Sequence, residues 1–496
     1  MQTKGVLLAG LLMASEIDVA SISGADRVDL FTGIALSGSE PPPDSLAVYD
    51  STLDITGLAG MPDVVDVQIP RADGDLTAAV RLERMDRREG FRERDFWACI
   101  RGDSTGCAII PVPGFPPEQF SYTWTGQGDG YDLRLTIHRG NAVGVLSGPK
   151  GRFGLAWKQV KELRVEYFLI DDSMAEGGLD EAPAQAAGPS TIPVMSAADA
   201  RNATVARIEP QALSPSAPSG TTQLDMLVLF TEAARKQAGG IPADCHDTNG
   251  LMTYVHQGIN DVNTVFSRSQ VAAQVGVTTV TKLNGYTLIP YAGSGTVIQN
   301  RDNITQNASI KAFRNMVGAD VVTVLFDTQA NLGVCGVANV QRHGCSVPAT
   351  PGCDMGPLFS EWTYYLNTVQ CSAVVDAFTH ELGHVLGAEH DIAHTSIPPN
   401  VASYPYSYGY GVLSNAYGFE TIMSQKFDPQ RYPVRLLQFS NPKVSYNGHA
   451  TGNASTADNA HTLTNLVPGT AGFRTRPQVI FVNGFDVNNP CPGINY

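Results

Sequence analysis

His380, Glu381, His384 and His390 are the residues of this chain best placed by type and spacing to do chemistry. On an α-helix, positions i and i+4 share a face, so the imidazoles of His380 and His384 can present nitrogens to one metal ion. Glu381, next to His380, can lean over that ion as a general base. Gly387 falls where a helix end needs a left-handed residue, and a chain turned back there delivers His390 as a third ligand. Three protein nitrogens suit zinc and leave a fourth tetrahedral position open, the arrangement of a hydrolytic site rather than a structural one. Four of the ten histidines, His380, His384, His390 and His394, crowd into this stretch, with His394 read as a surface residue beyond the ligand set.

The elements that must position these groups follow from the apolar pattern. Phe378, Leu382, Val385 and Leu386 recur at i, i+4, i+7 and i+8, a stripe that holds the helix against a core and fixes the ligands on its other side. Upstream, LDMLVLFT from Leu224 to Thr231 reads as a buried strand and LMTYVHQGINDVNTVF from Leu251 to Phe266 as a helix. QVGVTTVTKL, then GADVVTVLF from Gly318 to Phe326, read as further strands, and WTYYLNTVQ feeds the histidine helix. This order describes a mixed α+β sheet carrying helices.

The string H-E-L-G-H-V-L-G-A-E-H-D resembles the metzincin zinc-peptidase signature H-E-x-x-H-x-x-G-x-x-H, and Asp391 after the third histidine resembles the reprolysin (adamalysin) branch. The resemblance spans residues 222–476 and is strongest from the zinc helix through Met423. It implies a metzincin domain, a mixed twisted sheet with long helices, that acts as an endopeptidase on protein or peptide substrates. It also implies one zinc ion on His380, His384 and His390, with Glu381 as base; no residue pattern argues for calcium beside it. Thr421 to Ser424, T-I-M-S, resembles the methionine turn and makes Met423 a floor beneath the metal. Asp391 is expected to anchor the third-ligand loop by hydrogen bonding. GVCGVANV, from Gly333 to Val340, sits where the family has its edge strand, making Gly336, Val337 and Ala338 candidates to bind an extended substrate by strand addition. Phe439 to Pro442, F-S-N-P, resembles the end of bacterial reprolysin-like domains. Gln425 stands where some metzincins carry a metal-binding tyrosine, so no tyrosine ligand is carried over.

At 496 residues the chain is too long for one core. Its net charge of −15 argues against nucleic acid or an anionic membrane as the main partner. Residues 1–20 begin with Lys4 and GVLLAGLLMA and read as a secretory signal, which implies a secreted protein, periplasmic in transit. Residues 21–173, rich in strand-like alternation, read as an antiparallel β pro-domain with Trp97, Trp124, Phe153 and Tyr167 in its core. The mixed-charge run Arg81 to Asp95 reads as a solvated strand or loop. Residues 174–221 shift to Ala, Pro, Ser and Gly, a linker where activation cleavage is expected. Residues 477–496 read as a tail or a closing strand.

The eight cysteines suggest disulfides, with Cys99 pairing to Cys107. Cys245, Cys335, Cys345, Cys353, Cys371 and Cys491 are left in an unassigned connectivity. A thiol from Cys99 or Cys107 on the zymogen's zinc is the competing reading for the first pair. The expected enzyme is monomeric and has its own pro-domain as intramolecular partner. Two other functions fit the same motif: a zinc amidase acting on cell-wall peptides, and a non-catalytic adhesion or scaffold protein that kept the metal-stabilised fold. The intact Glu381 speaks against the scaffold, which has no use for a base.

Overall fold

The computed structural model describes residues 28–38, 45–53, 58, 64–68, 80–89, 122–128, 130–138, 141–149, 151–157, 164–170, 220–239, 248–284, 286, 288–327, 334–342, 357–413, 418–424, 433–475 and 493–495. The expected signal segment, the linker, Trp97, the pairing of Cys99 with Cys107, and Gln425 lie outside the described residues, as does the side chain of Tyr167.

Alternating sequence builds the first sheet. Its strands are β1 (Val28–Asp29), β2 (Phe31–Leu36), β3 (Ser45–Leu53), β4 (Val65–Val67), β5 (Val80–Glu89), β6 (Tyr122–Gly128), β7 (Tyr131–His138), β8 (Asn141–Gly148), β9 (Gly151–Trp157) and β10 (Arg164–Ile170). They lie in the order β1-β4-β5-β6-β7-β8-β9-β10-β3-β2, antiparallel except for the β1–β4 pair. Leu133, Leu135 and Ile137, every second residue of β7, enter one core with Trp124, Phe153 and Leu155. Part of the mixed-charge run is β5, a strand inside this sheet.

The second body starts with β11 (Thr222–Phe230), α1 (Glu232–Gln237), α2 (Asn249–Arg268), β12 (Ala273–Asn284), α3 (Ser294–Gln306), α4 (Ala308–Val317) and β13 (Val321–Phe326). β14 (Gly336–Ala338), β15 (Tyr364–Thr368), α5 (Val369–Val374) and α6 (Ala377–Val385) follow. The sheet order is β14-β15-β13-β11-β12-β21, where β21 (Gly493–Asn495) runs parallel to the end of β12, so the C-terminal segment supplies a closing strand. β14 is antiparallel to β15 and forms the other edge; the remaining pairs are parallel. Parallel interior strands are covered on both faces, which explains their unbroken apolar sequence. Met226 and Val228 of β11 face the core that holds α2 and α6, whereas Leu227 and Leu229 face the core beneath α3 and α4.

Below the sheet the chain adds β16 (Gly411–Val412), β17 (Phe419–Glu420), β18 (Val434–Arg435), the hairpin β19 (Asn441–Tyr446) and β20 (His449–Thr451), and α7 (Asn459–Thr470). No helix among the described residues is long and apolar enough to cross a membrane.

The two bodies meet through α2. Its apolar side, Leu251, Val255, Ile259, Val262 and Phe266, belongs to the sheet core. Its other buried side is polar and receives the second face of β7, whose Asp132, Arg134, Thr136 and His138 alternate with the leucines. Thr136 donates to Gln257, Asn260 donates to Thr123 (2.5 Å), the His138 and His256 rings lie 4.9 Å apart, and Arg268 pairs with Asp132 at 2.8 Å. Val48 and Val145 of the first sheet add an apolar contact with Cys335, Cys371, Val375 and Ala377.

Cys335 and Cys371 form a disulfide across a sequence separation of 36 residues, tying the start of β14 to α5. Closing a loop of that size restricts the unfolded chain by about 3–4 kcal/mol. Replacing both cysteines by serine should therefore lower the unfolding free energy of the second body by about 2–4 kcal/mol, read from denaturant titration.

Candidate metal centre

α6 begins at Asp376, a non-glycine residue in the left-handed region (φ 62°, ψ 18°), whose carbonyl accepts from the N–H groups of Thr379 (3.0 Å) and His380 (2.9 Å). The predicted stripe packs as expected: Phe378, Leu382, Val385 and Leu386 are buried, and Phe378 meets Tyr365 edge-on at 5.8 Å. The helix ends in a Schellman turn at Gly387 (φ +88°), where Gly387 N–H donates to the His384 carbonyl (2.8 Å) and Ala388 N–H to the Gly383 carbonyl (2.9 Å). That reversal brings His390 back beside the helix.

The Nε2 atoms of His380, His384 and His390 converge. His390 Nε2 lies 3.0 Å from that of His380 and 3.1 Å from that of His384. The Nδ1–H groups of His380 and His384 face the carbonyls of Ile422 (3.0 Å) and Ala388 (2.8 Å), which fixes the tautomer with the lone pair on Nε2. Neutral imidazoles so oriented have no protons for both Nε2 contacts, so the shared point calls for a cation. Burial pushes all three rings down: His384 to about 4, and His380 and His390 well below the usual imidazole value. Three neutral nitrogens around one point fit zinc.

Other expected residues assemble around this cluster. The Glu381 side chain is buried beside Gly336, where an added Cβ would stand 2.5 Å from Glu381 Cγ and 2.6 Å from Oε1; the missing side chain of β14 makes room for the carboxylate. Val337 and Ala338 are buried in the edge strand, and the Ala338 carbonyl already accepts from Arg301 (3.0 Å). Met423 is buried under α6, and a Cβ on Gly383 would lie 2.8 Å from its sulfur. Asp391 is buried: its N–H donates to the Met423 carbonyl (3.1 Å), and its carboxylate accepts from Ser424 (3.3 Å) and meets His394 Nδ1 (2.8 Å). It thus links the third-histidine loop to the methionine turn, while His394 stays outside the convergent set.

Sequence reading missed several residues that hold this arrangement. Arg435 donates to the same Ile422 carbonyl that orients His380 (2.8 Å), to the Ser424 carbonyl (3.1 Å) and to Glu420 (3.1 Å), and its Nε lies 3.5 Å from Asp376. Arg342 grips Glu389 with two hydrogen bonds (2.5 and 3.0 Å), fastening the segment after β14 to the residue before His390. Glu389 and Asp376 flank the motif and were the available signal; nothing around Arg342 or Arg435 marks them in the sequence.

The depressed histidines have a sign-definite consequence in the metal-free chain. Between about pH 6.5 and 4 the unfolded state binds protons that buried His384 does not, so stability falls as pH falls through that window. His384 alone corresponds to a loss of about 3 kcal/mol. The melting temperature of chelator-treated protein should drop steadily from pH 6.5 to 4.5, and the drop should shrink in His384→Gln.

Comparison with known proteins agrees with this geometry. Peptidyl-Asp metalloendopeptidase of Stenotrophomonas maltophilia (strain K279a) is 32% identical over 267 residues, which are 52% of this chain and 54% of the relative. The protein of that name from Xanthomonas campestris pv. campestris is 32% identical over 254 residues, 50% of this chain and 51% of the relative. The chain thus spans about half the length of the curated relatives it matches. Metalloproteinase-II of Bacteroides fragilis superposes with 10% identity over 84% of this chain and 95% of that one, at a TM-score of 0.37 that carries no argument. The model of the reprolysin-type metallo-peptidases of family M12 matches residues 220–440, the stretch that contains α6, the three histidines and the methionine turn.

Proposed function

We propose that the chain is a secreted zinc endopeptidase made as a zymogen, with a signal over residues 1–20, the β body over 21–173 as pro-domain, cleavage within 174–221 and a catalytic domain over 222–476. The observation that carries the enzymatic reading is the convergence of three buried histidine Nε2 atoms, with a buried glutamate next in sequence to the first of them and packed at a sheet edge.

His380, His384 and His390 hold the ion. Zinc bound there supplies a Lewis acid and lowers the pKa of water. Glu381, kept close to the ligands by the space at Gly336, takes a proton from the attacking water and passes it to the departing amine. Met423 shapes the floor, and Asp391 keeps the third-histidine loop in register with it. Among the described residues β14 pairs on one side only, so an extended peptide laid along Gly336–Ala338 would present its scissile carbonyl near Glu381. The name shared by the relatives, peptidyl-Asp metalloendopeptidase, extends the reading to peptide bonds next to aspartate.

The intact base separates this reading from a silent scaffold. Glu381→Ala should lower casein turnover by about 10²–10⁴-fold with zinc content unchanged. Gly336→Ala, which crowds the carboxylate without deleting it, should also reduce kcat at unchanged zinc content. A chelator should abolish activity in the parent. For the bond preference, two peptides differing only by Asp or Ala beside the cut should separate by at least tenfold in kcat/KM; equal rates would remove the aspartate extension and leave the endopeptidase.

A further inference from the structure

Arg134 belongs to β7 of the first body, yet it reaches the start of the histidine helix of the second. Its Nη1 lies 2.6 Å from Asp261 of α2 and 2.6 Å from Asp376, the residue on which α6 begins. All three side chains are buried, about 3% exposed or less. Burial opposes an ionised Asp376, yet Arg134, Arg152 and Arg435 hold its carboxyl below the usual range. Asp376 is therefore an anion with cations on two sides, Arg134 and Arg152 from the first body and Arg435 from the second. Arg435, on the second side, shares the Ile422 carbonyl with His380. A continuous series of polar contacts thus runs from Arg134 through Asp376 and Arg435 to the Ile422 carbonyl and the first histidine. Nearby, Arg152 of β9 lies 3.8 Å from Glu420, the other carboxylate holding Arg435.

We propose that Arg134 is a positioning residue for the metal centre, so that docking of the β body and metal binding by the three histidines reinforce one another. The interface is built for such exchange: its centre is a matched set of polar side chains on β6, β7 and α2, the character of a separable contact rather than of one continuous core. Losing Arg134 removes the cation nearest to both Asp376 and Asp261 and leaves Arg435, with Arg152 more distant, to balance Asp376 and Glu420. Arg435 is then drawn away from the Ile422 carbonyl, and the His380 ring loses part of its orientation. Coupling between two sites is reciprocal, so zinc must tighten the β body as much as the β body tightens zinc. The inference rests on the reading of the triad as a zinc site.

The test uses the full chain in a Glu381→Ala background, which prevents self-digestion, with zinc affinity measured by chelator competition. Arg134→Met should weaken zinc binding about tenfold, in the range seen when groups that orient metal ligands are removed. Arg134→Lys should recover most of it. Arg268→Met removes another ion pair of the same interface, with Asp132, without touching Asp376, and should leave the affinity unchanged. Unchanged affinity in Arg134→Met, or equal losses in Arg134→Met and Arg268→Met, would overturn the proposal. Should Arg134→Met fail to fold, Asp261→Asn frees one anchor of Arg134: a loss of at least twofold supports the coupling, and parent affinity refutes it. His384→Ala distinguishes the two readings: parent affinity there sinks the zinc site itself, whereas loss there with none in Arg134→Met sinks only the coupling.

Discussion

Three neutral imidazoles whose Nε2 atoms converge on one point are an unstable arrangement in a protein without a cation to satisfy them. Here the chain enforces it with backbone carbonyls. Ile422 and Ala388 hold the Nδ1–H groups of His380 and His384, so a flip or a change of tautomer in either ring breaks a buried hydrogen bond. Each carbonyl in turn depends on a local feature: the turn at Gly387 places Ala388, and the methionine turn, held by Arg435, places Ile422. Much of the lower part of the domain can be understood as support for those two oxygens.

The same logic extends to the sheet. β11 and β13 are buried on both faces, and their cores fix α2 and α6 relative to one another. β14 is short, lies at the edge and is stapled by Cys335–Cys371, and its glycine leaves the space that Glu381 occupies. The carboxylate is thus held by packing on one side and faces a strand edge on the other. The β body adds a second level of support, because the helix that carries two of the convergent histidines starts from a carboxylate that both bodies neutralise.

What could be read from the sequence was whatever has a fixed spacing. The i, i+4 histidines, the stripe from Phe378 to Leu386 and Gly387 as the turning point follow local geometry, whereas Met423 beneath the helix came only from the resemblance. The edge position of β14 and the closing strand near the C-terminus were anticipated in kind. Arg134, Asp261, Asp376 and Arg435 were not anticipated, because their meaning is set by partners up to more than two hundred residues away. In Y-D-L-R-L-T-I-H the polar residues look like a solvated face, yet that face is buried against α2. Alternation shows that a strand has two environments; it does not say that the polar one is water. The helix of Leu251 to Phe266 has the same double character, with a buried polar side that periodicity alone reads as surface.

X-ray absorption at the zinc edge of the purified, metal-loaded chain tests the central claim most directly. The account predicts a four-coordinate ion with three imidazole nitrogens at about 2.0–2.1 Å and one further light ligand. A first shell containing sulfur, fewer than three imidazoles, or a fourth imidazole would contradict an open site built by His380, His384 and His390.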